Sequence, residues 1–200
     1  MKKRIILIRH GATGSNGSGK YAGCRTDEPL CPETVEYIRK MGPLPFGPVG
    51  KVYSSPLRRA YDTARLLFEG HDIEVVEGFR EMDFGIFEGK TYNDLKDNGA
   101  YLDWISSGGK IKPPGGESME DFTKRVMTGF YRVLKEADDK GCFPVICHGG
   151  TIMAIMSALT RRSPYDFQVK NLEGYDLTIE TENERISDLT YDRIGPGDRT

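Results

Sequence analysis

Four short apolar runs interrupt an otherwise polar chain, and each predicts a strand: residues 4–9, 49–54, 73–76 and 143–147. They are rich in Ile, Val and Leu and lack polar alternation, the pattern of strands covered on both faces. Between them the apolar spacing changes to the helical period. From Ser118 to Ala137, the residues Met119, Phe122, Val126, Phe130, Val133 and Ala137 recur every three or four positions. A Ser118-x-x-Asp121 capping signal opens that stripe. Ser55-Pro56 predicts a second helix, with serine as cap, proline in the first position and Ala60, Ala64 and Leu67 facing inward. The run Thr151–Leu159 is apolar almost throughout and predicts a buried helix.

Alternating strands and helices imply an α/β fold. The expected architecture is a three-layer α/β/α sandwich on a mainly parallel sheet. Residues 174–180 and 184–191 alternate apolar and polar positions around a Thr181–Asn183 turn, which predicts an antiparallel hairpin at the sheet edge. Residues 14–33 and 106–117 are rich in Gly, Ser and Pro and read as loops over the strand ends. Segments 14–33 and 91–117 are expected to cover any site there. No internal repeat or linker divides the chain, so residues 1–200 read as a single domain.

Composition narrows the chemistry. A chain of 200 residues buries roughly 70% of its unfolded surface and needs no metal or disulfide to hold a core. Net charge is −2 from 28 basic and 30 acidic residues, so no bulk positive field points to nucleic acid. The basic start Met1-Lys2-Lys3-Arg4 precedes an apolar stretch too short for a signal peptide, and no run reaches membrane-spanning length. Cys24, Cys31, Cys142 and Cys147 form no C-x-x-C pair, which argues against zinc and for reduced thiols in a cytoplasmic protein. Cys147 reads as a buried strand residue rather than a reactive thiol.

Four segments carry candidate chemistry. The first strand ends in Arg9-His10-Gly11, a fixed cation beside an imidazole where ligands of parallel sheets bind. The last predicted parallel strand ends in His148-Gly149-Gly150. Two of the three histidines thus occupy strand ends before glycine, and His71, beside Asp72, reads as surface. The Ser55–Ala64 segment brings Arg58 and Arg59 into a first helical turn, where cations oppose the helix dipole unless an anion offsets them. In the segment from Phe79 to Thr91, a carboxyl group among Phe79, Phe84 and Phe87 is partly shielded from water, a setting that suits a general acid. From the residues alone, Glu81, Asp83 and Glu88 all remain candidates.

Taken in order, these segments resemble the histidine phosphatase superfamily with its phosphoglycerate-mutase-like fold. Arg9-His10-Gly11 matches the family R-H-G, and Ser55 to Ala64 matches S-P-L-x-R-A-x-x-T-A, which implies Arg59 rather than Arg58 as the ligand arginine. Phe79 to Gly89 matches the acid segment and implies Glu81; His148-Gly149-Gly150 matches the late H-G-G. The resemblance implies His10 as nucleophile, Glu81 as proton donor, and Arg9, Arg59 and His148 around the phosphoryl oxygens. It also implies substrate contacts at Thr13, Asn16, Gly23 and Gly149. The chain departs from the family at Ala12, where Glu or Gln is usual, and by one extra residue between Tyr21 and Leu30.

The activity implied is hydrolysis of a small phosphorylated metabolite through a phosphohistidine, without metal or cofactor, with no nucleic-acid or membrane partner and with a homodimer left open. Phosphoglycerate mutases of the family carry E-R-H-Y-G after the acid and a pair of arginines further on. Here stands Glu81-Met82-Asp83-Phe84-Gly85, and residues 91–117 contain no arginine. Lys110 and Lys112 read as solvated loop residues. The E-x-D-F-G form and Pro114-Gly115-Gly116-Glu117-Ser118 are similar to alpha-ribazole phosphatases, so alpha-ribazole phosphate leads, ahead of a mutase or a sugar-phosphate phosphatase; a non-catalytic phospholigand sensor is more distant.

Two other classes fail on specific residues. Gly14 to Lys20 has Walker spacing, but Tyr21 stands where Ser or Thr should reach magnesium. An α/β-hydrolase would need a G-x-S-x-G elbow, which the chain lacks.

Overall fold

The computed structural model describes residues 1–42 and 44–196. Among them the sheet has six strands in the order β3-β2-β4-β1-β5-β6. The strands are β1 Lys2–Arg9, β2 Val52–Ser54, β3 Ile73–Val75, β4 Cys142–Cys147, β5 Gly174–Glu182 and β6 Arg185–Ile194. The first four in chain order pair parallel with one another, and β5 and β6 add antiparallel at one edge. The expected mainly parallel sheet and edge hairpin are both present. Strand β2 is shorter than expected: only Val49 of the preceding residues bridges, to Cys142. The hairpin turn lies at Asn183 and Glu184, both left-handed with φ 48° and 62°, rather than at Thr181–Asn183. That is the conformation a two-residue hairpin turn requires to match strand twist.

The unalternated strands sort their side chains onto two covered faces. Ile5, Leu7, Val145 and Cys147 pack with Val126 and Phe130 of α6 (Met119–Glu136) and Ile152 and Ile155 of α7 (Gly149–Thr160). Ile6, Ile8 and Ile146 pack on the other side with Ala60 and Ala64 of α3 (Arg58–Leu67), and α2 (Pro32–Met41) lies alongside. This is the expected three-layer sandwich. Ser118 caps α6 by accepting from the Asp121 N–H, as its sequence signal implies.

Three expectations need correction. Helix α3 begins at Arg58 with Leu57 as its cap, not at Ser55-Pro56. The Ser55 hydroxyl accepts from the Leu57 N–H and faces His148, so it is committed elsewhere. Residues 14–33 are not wholly irregular: α1 (Gly14–Gly17) makes one turn, and α2 begins at Pro32. Residues 91–117 likewise hold α4 (Tyr92–Leu95) and α5 (Gly99–Ser106). A small aromatic core of Phe87, Tyr101 and Trp104, with Tyr21 and Phe84 against it, fixes α5 beside the loops. Among the described residues no helix is long and apolar enough to cross a membrane.

Candidate active site

Register brings the two histidines together. Arg9 of β1 pairs with Cys147 of β4, and Ser54 of β2 pairs with Ile146. One residue beyond, His10, His148 and Ser55 therefore stand side by side at the carboxyl ends of three parallel strands, where open α/β sheets bind ligands. The ladder continues into the site through His10 N–H to the Cys147 carbonyl (2.9 Å) and Ser55 N–H to the Ile146 carbonyl (2.9 Å). Both rings are buried and meet edge to face, with centroids 5.1 Å apart.

The protonation of each ring follows from its neighbours. His10 Nδ1 lies 2.7 Å from the Gly11 carbonyl, which only accepts; Nδ1 carries the proton and Nε2 keeps its lone pair. Burial first, then the Arg59 and Arg9 charges, hold His10 well below the usual imidazole range. The neutral form persists at physiological pH. His148 Nε2 lies 2.7 Å from Ser55 Oγ, which already accepts from the Leu57 N–H at 3.3 Å. Either atom of the Ser55–His148 pair can donate; in the tautomer with the Ser55 hydroxyl proton directed at Nε2, the ring proton sits on Nδ1. Burial, then His10 and the arginines, also depress His148.

Two guanidiniums flank the rings. Arg59, fully buried near the start of α3, donates from Nη2 to the Ala22 (3.2 Å) and Gly23 (3.1 Å) carbonyls and from Nη1 to the Thr26 carbonyl. Arg9 donates from Nη1 to the Val169 carbonyl at 2.7 Å. Burial lowers both guanidinium pKa values, and Glu81 counteracts it; arginine stays charged regardless. Arg9 Nε, Arg59 Nε and His148 Nδ1 are buried and make no hydrogen bond among the described residues. Buried polar atoms without partners are rare, and three of the four among the described residues gather here, the fourth being Trp104 Nε1 in the aromatic core.

Glu81 is the buried carboxylate of the acid segment. It accepts from Gly150 N–H on Oε2 (3.0 Å) and from Met82 N–H on Oε1 (2.9 Å). A Cβ on Gly150 would lie 2.4 Å from Glu81 Oε1, so glycine there permits the approach. Its rivals are occupied elsewhere. Asp83 pairs with Arg25 (2.9 Å), and Glu88 accepts from Arg25 N–H (3.2 Å) and the Thr26 hydroxyl (2.8 Å). Cys24, Asp83 and Glu88 do offer ligand atoms within 4.8 Å of one another, but these contacts already engage both carboxylates.

The remaining predicted residues fall as follows. Gly149 packs under Arg9, with Cβ space 3.6 Å from its Cζ. Gly23 turns its carbonyl to Arg59. Thr13 and Asn16 bond each other beside His10, through Thr13 N–H and hydroxyl to Asn16 Oδ1 (3.2 and 3.1 Å). Arg58 is exposed and pairs with Asp62. His71, Lys110 and Lys112 are exposed. Cys147 is buried, which drives its thiol pKa up. Three residues to which the sequence assigned no site role join it: Ser55, Thr63, whose hydroxyl accepts from Gly11 N–H (3.0 Å), and Asn171, which donates to the His10 carbonyl (2.9 Å). Ser55 and Thr63 stand inside a recognised motif, whereas no local signal marks Asn171.

A neutral imidazole with a free lone pair, ringed by fixed cations and backed by a buried carboxylate, defines an α/β phosphatase, a phosphoric monoester hydrolase. The sequence model of the histidine phosphatase superfamily (branch 1) matches residues 5–191, and the chain belongs to that family. It is 35% identical over 170 residues to a protein of Hydrogenobacter thermophilus provisionally named phosphoserine phosphatase 2, covering 79% of each chain. It is 30% identical over 161 residues to the adenosylcobalamin/alpha-ribazole phosphatase of Salmonella typhimurium, covering 78% of this chain and 79% of the other. The alpha-ribazole phosphatase of Shigella flexneri superposes with a TM-score of 0.77 at 25% identity, over 92% of this chain and 93% of that one.

Proposed function

We propose that this protein hydrolyses a small phosphorylated metabolite through a phosphohistidine on His10, with alpha-ribazole phosphate as its substrate. The single observation that carries the reading is the set of buried, unpartnered groups on Arg9, Arg59 and His148 around an imidazole whose Nε2 lone pair is free. In the first step His10 Nε2 attacks phosphorus in line and the bond to the leaving oxygen breaks. Arg9, Arg59 and His148 Nδ1 donate to the three equatorial oxygens, where the transition-state charge is spread. Glu81 gives its proton to the departing alkoxide. In the second step water attacks the phosphohistidine, Glu81 takes the water proton, and His10 leaves as neutral imidazole. Fixed cations supply the charge, so the chemistry requires no metal ion. The free cysteines agree with a cytoplasmic setting.

Support for the substrate comes from the relatives named for it and from the covering segments. No arginine stands in 91–117, and Lys110 and Lys112 are exposed. Arg25 is held by Asp83 and the Gly115 carbonyl and so is not free to grip a substrate carboxylate. The rings of Tyr21, Phe84 and Trp104, 5.3–6.0 Å apart, belong to the aromatic core that holds these segments in place. The test is phosphate release from alpha-ribazole phosphate, phosphoserine and sugar phosphates, with 2,3-bisphosphoglycerate-primed mutase turnover measured alongside and His10→Ala as control. Preferential release from alpha-ribazole phosphate supports the reading; a preference for phosphoserine, or dominant mutase turnover, overturns the substrate.

A further inference from the structure

Backbone groups fix the direction of two side-chain amides beside the nucleophile. The Thr13 N–H can only donate and lies 3.2 Å from the Asn16 amide atom facing it, so that atom is Oδ1. The His10 carbonyl can only accept and lies 2.9 Å from Asn171, so the atom facing it is Nδ2. The second hydrogen of that nitrogen goes to Asn16 Oδ1 at 3.2 Å, and the Thr13 hydroxyl donates to the same oxygen at 3.1 Å. Reversing Asn16 would set its NH2 against the Thr13 N–H and the Asn171 NH2. Asn16 is thereby held with Nδ2 away from these partners, its two hydrogens free for an acceptor.

Asn171 is itself firmly placed. The segment around it wraps the end of β1: Arg9 Nη1 donates to the Val169 carbonyl (2.7 Å), Leu172 N–H to the Arg9 carbonyl (3.0 Å), and Arg9 N–H to the Glu173 carbonyl (2.9 Å). Leu172 adopts φ 65°, a left-handed conformation unusual for a branched side chain, and it persists because these bonds over-determine the segment.

We propose that Asn171 is a positioning residue for phosphate: it holds the Asn16 amide so that Nδ2 donates to a non-bridging oxygen of the phosphoryl group on its way to His10. This rests on the phosphatase reading above and assigns a binding task to a residue outside the four motif segments.

The test is a double-mutant cycle with orthovanadate as the oxyanion probe and p-nitrophenyl phosphate as substrate. Asn16→Ala and Asn171→Ala are each expected to raise the vanadate inhibition constant about tenfold, the scale of one lost hydrogen bond to a charged group. The double variant should be no weaker than Asn16→Ala alone. Asn171→Asp keeps the shape but turns an oxygen toward two carbonyl oxygens, and should weaken vanadate at least as much as Asn171→Ala. Equal losses from Asn171→Ala in the native and Asn16→Ala backgrounds would overturn the proposal, as would native vanadate affinity in both Asn171 variants. Those results leave phosphatase activity standing. A native protein that neither hydrolyses the ester nor binds vanadate would overturn the functional reading and this proposal together.

Discussion

His10 and His148 stand edge to face, ring centroids 5.1 Å apart, because each follows by one residue a pair of strand positions in register, Arg9 and Cys147. The sheet itself therefore sets the spacing of the two groups that would meet the phosphoryl group.

Replacing His10 by alanine is expected to abolish turnover, since His148, the other imidazole at these strand ends, has its Nε2 engaged by Ser55. The His10 side chain contributes one hydrogen bond, to the Gly11 carbonyl, so the fold should survive. Steady-state phosphate release together with a circular dichroism melt checks both halves; near-native turnover would remove His10 from the chemistry.

Arg59→Ala should cost about 3–4 kcal/mol of barrier, by analogy with the loss of one preorganised stabilising group. It should also loosen the 22–26 loop, whose Ala22, Gly23 and Thr26 carbonyls the guanidinium holds. The readout is kcat/KM beside proteolysis in that loop. Arg58→Ala, at an exposed ion pair, should change neither by more than a few tenths of a kcal/mol.

Glu81→Gln separates proton transfer from phosphoryl stabilisation. With an alkyl phosphate the loss should be 10²-fold or more, and with p-nitrophenyl phosphate, whose leaving group needs no proton, phosphohistidine formation should be nearly unchanged. Gly150→Ala should mimic the alkyl-phosphate defect because its Cβ would meet Glu81 at 2.4 Å, whereas Gly149→Ala, 3.6 Å from Arg9, should be mild. Equal losses on both substrates in a rapid-quench measurement would deny Glu81 the acid role.

Stability should fall on mild acidification. His10 and His148 are both held well below the ordinary imidazole pKa of about 6.5, so above that pH both groups are neutral in the folded and the unfolded states. As pH drops below about 6.5 the unfolded chain takes up two protons that the folded state refuses until its lower pKa values are reached. The two groups should together give a slope approaching roughly 2.7 kcal/mol per pH unit in that window. Urea unfolding across it should show a slope smaller by about one proton in His10→Ala; an unchanged slope would contradict the neutral state of the buried ring.

Much of this was legible in the chain, for identifiable reasons. The buried strands and α6 announce themselves because apolar runs and a capped periodic stripe are local signals. The two histidines and Arg59 stand at strand ends and a helix start and are legible as local motifs, whereas Glu81, in the loop after Glu77–Phe79, is separated from Asp83 and Glu88 only by the family resemblance. What escaped was shorter or non-local. Helices α4 and α5 span four and eight residues, too little for a period to register, and are fixed by aromatic packing with Tyr21. Helix α2 carries local signals, Pro32 in its first turn and Val35, Ile38 and Met41 at helical spacing, but it starts inside a Gly- and Pro-rich stretch that reads as loop. The Ser55 hydroxyl looked like a helix cap because only the fold brings His148 to it. Asn171 reaches His10 across 161 positions of sequence, and no pattern encodes that bond.

Trapping the covalent intermediate tests the central claim most directly. Native protein mixed with radiolabelled phosphoester and quenched within one turnover should carry an acid-labile, base-stable phosphoryl group on the peptide containing His10, formed as fast as product alcohol is released. Turnover with no labelled protein, or label on any other residue, would contradict it.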